Sequence, residues 1–368
     1  MTITRRRTVE LPEHPGVHLG AQVLCRRIEQ GPQHRRKIDA EVGTTVEGLE
    51  QRLACALYDE RETNGYFPAD ALIALEPRHA TRAELERVHP AAYLDSVEQL
   101  CAAGGGKLDA DTRVVKASWN AATLAAGAGL AAVEALQRGE GGASAAFCAV
   151  RPPGHHATVK QAMGFCIISN VAVVAAHLAE QGERVMIVDF DAHHGNGTQD
   201  VFFADPRVLY ISFHQWPLYP GTGSAREVGE GLGLGTTFNA PMPMHSTGDR
   251  YLEVIDGVMS QVAKMFSPTW LIISAGFDAH RNDPITDLGL SAGDFNLITS
   301  RLLQFAPAGR RLVILEGGYD LEALRNSSAA TMAALLDRPY QPEQPTSGGP
   351  GDRVASGLLE FWAGHGLL

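Results

Sequence analysis

From about residue 144 onward the chain alternates short, continuous apolar runs with longer stretches of helical periodicity. The runs SAAFCAV (144–150), RVMIVDF (184–190), RVLYISF (207–213), TTFNAPM (236–242), TWLIISA (269–275) and RRLVILEG (310–317) read as strands. Among them NVAVVAAHLAEQG (170–182), DRYLEVIDGVMSQVAKMF (249–266), AGDFNLITSRLLQFA (292–306) and LEALRNSSAATMAALL (321–336) read as helices. The strands place Val, Ile and Leu on consecutive positions rather than on every second one, the pattern of a sheet covered on both faces. Such alternation predicts an α/β protein, a three-layer α/β/α arrangement with a mainly parallel central sheet. No repeat or linker divides the sequence, so one domain over residues 1–368 is expected.

Residues 1–77 carry no comparable pattern, and their arrangement is left unassigned. HATRAELERVHPAAYLDSVEQL (79–100) reads as one or two helices, and WNAATLAAGAGLAAVEAL (119–136) as a closely packed one. Between them CAAGGGKLDADTRVV (101–115) reads as a Gly/Asp loop, and the Pro/Gly-rich stretch at 337–353 as an exposed loop before a short final helix.

Charge and cysteine content narrow the function classes. A net charge of −11 argues against a general affinity for nucleic acid or an anionic membrane. The basic cluster TRRRTV (4–9) reads as a solvated terminus. Five cysteines without CxxC spacing suggest reduced thiols. There is no signal-peptide pattern and no run of ~18 apolar residues, so a cytoplasmic protein is expected.

In parallel α/β sheets, ligands gather beyond the carboxyl ends of the strands. Five polar clusters fall there: RPPGHHA, DAHHGNG, HQWPLYPGTG, GFDAHRNDP and EGGYDL. Side chains two apart on an extended segment point the same way, so Asp191 and His193 can reach one ion, with Asp189 one step deeper. Asp278, at the corresponding end of another strand, is the expected third ligand. Two carboxylates and one imidazole leave a coordination position open for water, as a catalytic zinc site requires. The oxygen-rich set also leaves Fe(II) or another divalent ion open.

Adjacent His155 and His156 follow a Pro-Pro-Gly turn, and two imidazoles beside one ion could divide the removal and delivery of protons. Each needs an acceptor on its second nitrogen; Asp189 is expected for His155 and Asn196 for His156. Tyr319, after two glycines, is placed to donate a hydrogen bond to a developing oxyanion.

Taken together, RPPGHHA…MGFCIISNVAVVA, VDFDAHHGNGTQDVFF, ISFHQWPLYPGTG, SAGFDAHRNDP and EGGYDL resemble the histone deacetylase family, including bacterial acetoin-utilization proteins and acetylpolyamine amidohydrolases. The resemblance covers about residues 78–340 and implies the arginase/deacetylase fold with one zinc on Asp191, His193 and Asp278. It implies His155 as general base, His156 as its electrostatic and acid partner, and Tyr319 as the group polarising the acyl carbonyl. Phe165 and Tyr219 would wall a narrow tunnel, and Gly164 would offer its carbonyl to the amide. A potassium-type ion (K+ or Na+) would be held through Asp189, Asp191, His193, Ser212 and Phe213, and Asp111 would correspond to the rim acid that holds the substrate backbone.

There are departures. Asn196 replaces the Asp of many nuclear members, as in the class II branch, and one tunnel wall is aliphatic, Leu218 beside Tyr219. The customary N-terminal HPExPxR is missing; HPGVH (14–18) and GPQHRRK (31–37) are poor substitutes. The implied substrates are acyl-lysine proteins or peptides, or small acylated amines, with no direct nucleic-acid or membrane partner and a homo-oligomer left open. An acetylpolyamine substrate favours an acidic gate, but the position after NDP is Ile285, with Asp287 close by. A two-manganese ureohydrolase would need a carboxylate where His280 stands. A non-catalytic binding module would have lost a ligand, a base or the tyrosine, and none is lost.

Overall fold

The computed structural model describes residues 71–338 and 340–368, together with one strand at Gln22–Cys25. The basic cluster at 4–9 and the segments 14–18 and 31–37 lie outside the described residues. In chain order the elements begin with β1 (Gln22–Cys25), β2 (Leu72–Leu75), α1 (Arg82–Leu85), α2 (Ala91–Ala102), β3 (Gly105–Lys107), β4 (Arg113–Val115) and α3 (Ser118–Gln137). Next come β5 (Ala145–Cys148), α4 (Asn170–Glu180), β6 (Val185–Asp189), α5 (Asn196–Phe202), β7 (Val208–Gln215) and β8 (Thr237–Met242). The chain then forms α6 (Gly248–Val254), α7 (Ser260–Phe266), β9 (Trp270–Ala275), α8 (Ala292–Leu302), β10 (Arg311–Leu315), α9 (Leu321–Leu335) and α10 (Val354–Gly364).

One sheet runs in the order β2-β1-β5-β10-β9-β6-β7-β8. The six strands from β5 to β8 are parallel, and β1 is antiparallel to both its neighbours. Side chains alternate across a sheet, so a strand apolar at every position feeds two cores at once. In β6, Met186 and Val188 join one apolar cluster while Val185 and Ile187 join another; β9 splits Leu271 and Ile273 from Trp270 and Ile272 in the same way. The first cluster is closed by residues of α6 to α10, the second by residues of α1 to α4. These are the three layers of an α/β/α fold. Each buried Val, Leu or Ile contributes about 1.5–3 kcal/mol, so the layering is strongly specified.

Two segments differ from expectation. The Gly/Asp stretch forms the β3–β4 hairpin, with Gly105 opposite Val115 and Lys107 opposite Arg113. Glycine-rich sequence hides a strand; here buried Val114 anchors it. The 249–266 helix is broken by a π turn at Ile255–Met259, where Gly257 leaves helical geometry. The 337–353 stretch is the expected loop before the final helix, part-exposed among its described residues and fastened to the body by side chains. Glu343 accepts from the Ala292 amide at 2.8 Å and pairs with His280 at 2.7 Å, and Asp294 accepts from the Thr346 amide at 2.9 Å. Among the described residues, no helix is long and apolar enough to cross a membrane.

Candidate active site

Asp189 is the last residue of β6, paired with Ser212 of β7 and Ser274 of β9. Beyond it the chain leaves the sheet, and Asp191 and His193 follow in the exit loop. Asp278 lies in the loop after β9, His155 and His156 after β5, and Tyr319 after β10. Four strand ends therefore supply one site.

His193 Nδ1 lies 2.8 Å from Asp278 Oδ2 and 3.2 Å from Asp191 Oδ1, and the three donor groups all fall within 4.8 Å of one another. Backbone amides hold the acids in place. Gly317 N–H donates to Asp191 Oδ2 at 2.9 Å, and Ala192 N–H donates to Asp278 Oδ1 at 2.8 Å. Both carboxylates are buried, and among the described residues no Lys or Arg pairs with either. Two buried acids with no Lys or Arg beside them are costly, and two carboxylates with one imidazole make a donor set that fits a divalent ion.

Local charge bears this out in direction. Burial lowers His193, but Asp191 and Asp278 outweigh it and push the imidazole up to about 10. Burial and the neighbouring Asp191 raise Asp278 to about 7. Burial also raises Asp191, but His155 and His193 outweigh it and hold it below the usual carboxylate range. The cluster attracts positive charge.

His155 Nδ1 meets Asp189 Oδ2 at 3.0 Å, which leaves Nε2 facing the cluster, 3.9 Å from Asp191 Oδ1. His156 Nδ1–H donates to Asn196 Oδ1 at 2.8 Å. The two rings are 4.0 Å apart between centroids. Burial depresses both imidazoles. For His155 the fields of Asp191 and Asp189 win, and the ring sits well above its ordinary value. For His156, burial together with His155 and His193 holds it well below.

Around this centre, Gly164 adopts φ +55° with its Cα so close that an added Cβ would lie 2.4 Å from His156 Cδ2. Phe165 also has positive φ, at 67°, and its amide donates to the buried Thr112 hydroxyl at 3.0 Å. The Phe165 ring stands 6.2 Å from Tyr319, and Tyr219 stands edge-on to His156 at 5.2 Å. Tyr219, Ile285 and Tyr319 are each part-exposed at this rim, Leu218 is half-buried, and Asp111 is exposed beside Thr112. Ser212 and Phe213 are buried in β7, with Ser212 Oγ 2.9 Å from His214 Nδ1.

Three residues had no role in the sequence reading. Glu316, directly after β10, accepts from the Gly154 and His155 amides at 2.6 and 3.1 Å, and burial raises its carboxyl to about 7. Asp283 accepts from the Tyr319 amide at 2.8 Å. Thr112 holds Phe165. Glu316 and Asp283 stand inside motifs already singled out, EGGYDL and GFDAHRNDP, but a carboxylate that serves a distant amide has no spacing to reveal it.

The histone deacetylase domain profile matches residues 49–335, most of the chain. The chain belongs to the histone deacetylase family. The match starts well before residue 78, the start of the motif resemblance; residues 49–70 lie outside the described residues. The chain is similar to a probable deacetylase of Archaeoglobus fulgidus, 38% identical over 82% of this chain and 84% of that protein. It is 39% identical to histone deacetylase 15 of Arabidopsis thaliana over 82% of this chain, but it spans only 56% of that longer protein. The HDA15 HD domain crystal structure superposes with a TM-score of 0.75 at 35% identity, covering 90% of this chain and 92% of that one. The family and that neighbour agree with the arginase/deacetylase-like fold.

Proposed function

We propose that the chain is a metal-dependent amidohydrolase that removes acyl groups, acetyl foremost, from lysine side chains or similar amines. The observation that carries this is the meeting of Asp191, His193 and Asp278 within 4.8 Å, with Nε2 of His155 turned toward them. The donor set suits zinc and accommodates Fe(II). A divalent ion bound there would polarise an amide carbonyl and lower the pKa of a water molecule. His155 would take the proton of the attacking water at Nε2, its tautomer fixed by Asp189. His156, its Nδ1 held by Asn196 at 2.8 Å, would be the electrostatic partner of His155 and share in delivering a proton to the leaving amine. Burial and the fields of Asp278 and Asp191 keep the Tyr319 phenol protonated, able to donate to the acyl oxygen as charge develops.

The same reading assigns Phe165, Tyr219, Leu218 and Ile285 to the tunnel wall and mouth, Gly164 to the amide and Asp111 to the substrate backbone. Asp189, Asp191, His193, Ser212 and Phe213 would hold a structural K+ or Na+. The deciding experiment is a parallel turnover screen of acetyl-lysine peptides, longer acyl-lysine peptides and N-acetylpolyamines with zinc-loaded protein. Turnover of the peptides supports the reading. Turnover confined to acetylpolyamines would move the substrate to small amines. No turnover of any amide by protein with stoichiometric zinc overturns it.

A further inference from the structure

Tyr319 leaves the sheet behind two glycines, the residue type with the most backbone freedom to lose. A phenol that must donate to one developing charge works only if it is held to within about 0.5 Å. The structure shows two clamps on this loop. At its root, Gly317 N–H donates to Asp191 Oδ2 at 2.9 Å, and the Gly317 carbonyl accepts from the Phe277 amide at 2.9 Å. Gly318 then turns the chain at φ +135°, a region that side chains rarely allow. The next amide, that of Tyr319, donates to Asp283 Oδ2 at 2.8 Å. Asp283 Oδ1 accepts from the Ile285 amide at 3.0 Å, so both carboxylate oxygens are engaged.

Asp283 is 7% exposed, and among the described residues no Lys or Arg pairs with it. A buried carboxylate without a Lys or Arg partner is expensive, and two charge-assisted amide bonds offset part of that cost. It lies in the loop after β9 that also carries Asp278, while Tyr319 lies in the loop after β10. We infer that Asp283 is a positioning residue for Tyr319, locking the backbone of the phenol to the loop that bears the third metal-ligand candidate. The inference rests on the proposed role of the Tyr319 hydroxyl as hydrogen-bond donor to the acyl oxygen. Asparagine at position 283 would keep one acceptor and set an NH2 group against the other amide; glutamate would keep both acceptors on a longer arm.

The test is a double-mutant cycle on the zinc-loaded protein with an acetyl-lysine peptide, following kcat, KM, zinc content and Tm for Asp283→Asn, Tyr319→Phe and the double variant. Displacing the phenol by about 1 Å should cost ~10²-fold in kcat with KM and zinc content unchanged. In the Tyr319→Phe background, the same change should cost nothing further. Equal losses in both backgrounds, or a raised KM with normal kcat, overturn the inference while leaving the deacylase reading intact. A neutral Tyr319→Phe in an active enzyme removes the phenol's role and this inference with it, whereas an inactive wild-type enzyme fails the function itself. Should Asp283→Asn not fold, Asp283→Glu carries the test. A folded glutamate variant with kcat reduced only in the presence of Tyr319 supports the inference, and wild-type kcat overturns it.

Discussion

Replacing Tyr319 by Phe removes one hydroxyl and almost no volume, so a rate change reads on a hydrogen bond. We expect kcat to fall by ~10²–10³ on an acetyl-lysine peptide, the range for losing one oxyanion donor. Unchanged turnover would take the phenol out of the chemistry. Asp278→Ala removes one of three converging donors, and elemental analysis should show loss of stoichiometric metal; full occupancy would place the ion elsewhere. The residues that meet at this point were readable because D-x-H at one strand end, an aspartate at a second and a histidine pair at a third all fall beyond the carboxyl edge of one sheet. Glu316, Asp283 and Thr112 were not readable in the same way. Glu316 receives amides of Gly154 and His155 from a different strand end, and Thr112 receives the amide of Phe165. Such contacts depend on which loops the sheet brings together, and no local spacing encodes them.

At the scale of elements, the strands were legible because consecutive Val, Ile and Leu have only a doubly covered sheet to go to. The β3–β4 hairpin was not, since two of the three residues of β3 are glycines, which carry no β preference, and pairing alone decides their conformation. The joint between α2 and α4 yields a pH prediction. His89, just before α2, is fully buried; its Nε2 accepts from the Ser169 amide at 3.0 Å, at the start of α4. Burial lowers its pKa from 6.5 to about 4. Below pH 6.5 the unfolded chain therefore binds a proton that the folded one refuses. Stability should fall as pH drops from 6.5 toward 4, by about 3 kcal/mol from this group, and change no further below that. His194 and His214 are also lowered by burial and push the same way. The informative measurement is thus the difference between wild type and His89→Gln in urea unfolding at pH 7 and pH 4.5. The variant should lose part of the pH dependence; an identical slope would deny His89 its share.

For the whole molecule, ion binding and folding should be linked. The three donors come from separate loops, and an unfolded chain offers no preformed set, so a bound ion stabilises the folded state alone. Zinc at 100 times its Kd should add about 2.7 kcal/mol, seen as a raised Tm that chelator reverses and that Asp278→Ala abolishes. A zinc-independent Tm in the wild-type protein would contradict this linkage. Sheet order was beyond the reach of the sequence, because apolar runs of equal character do not state which neighbours they choose. That order carries a consequence for how the chain comes together. β10 is the last strand in sequence, yet it sits between β5 and β9 and pairs with both. Until residues 311–315 arrive during synthesis, β5 and β9 lack the strand that joins them, and the edges each offers to it stay unpaired. A fragment that stops short of them would keep both edges open and be left prone to clumping.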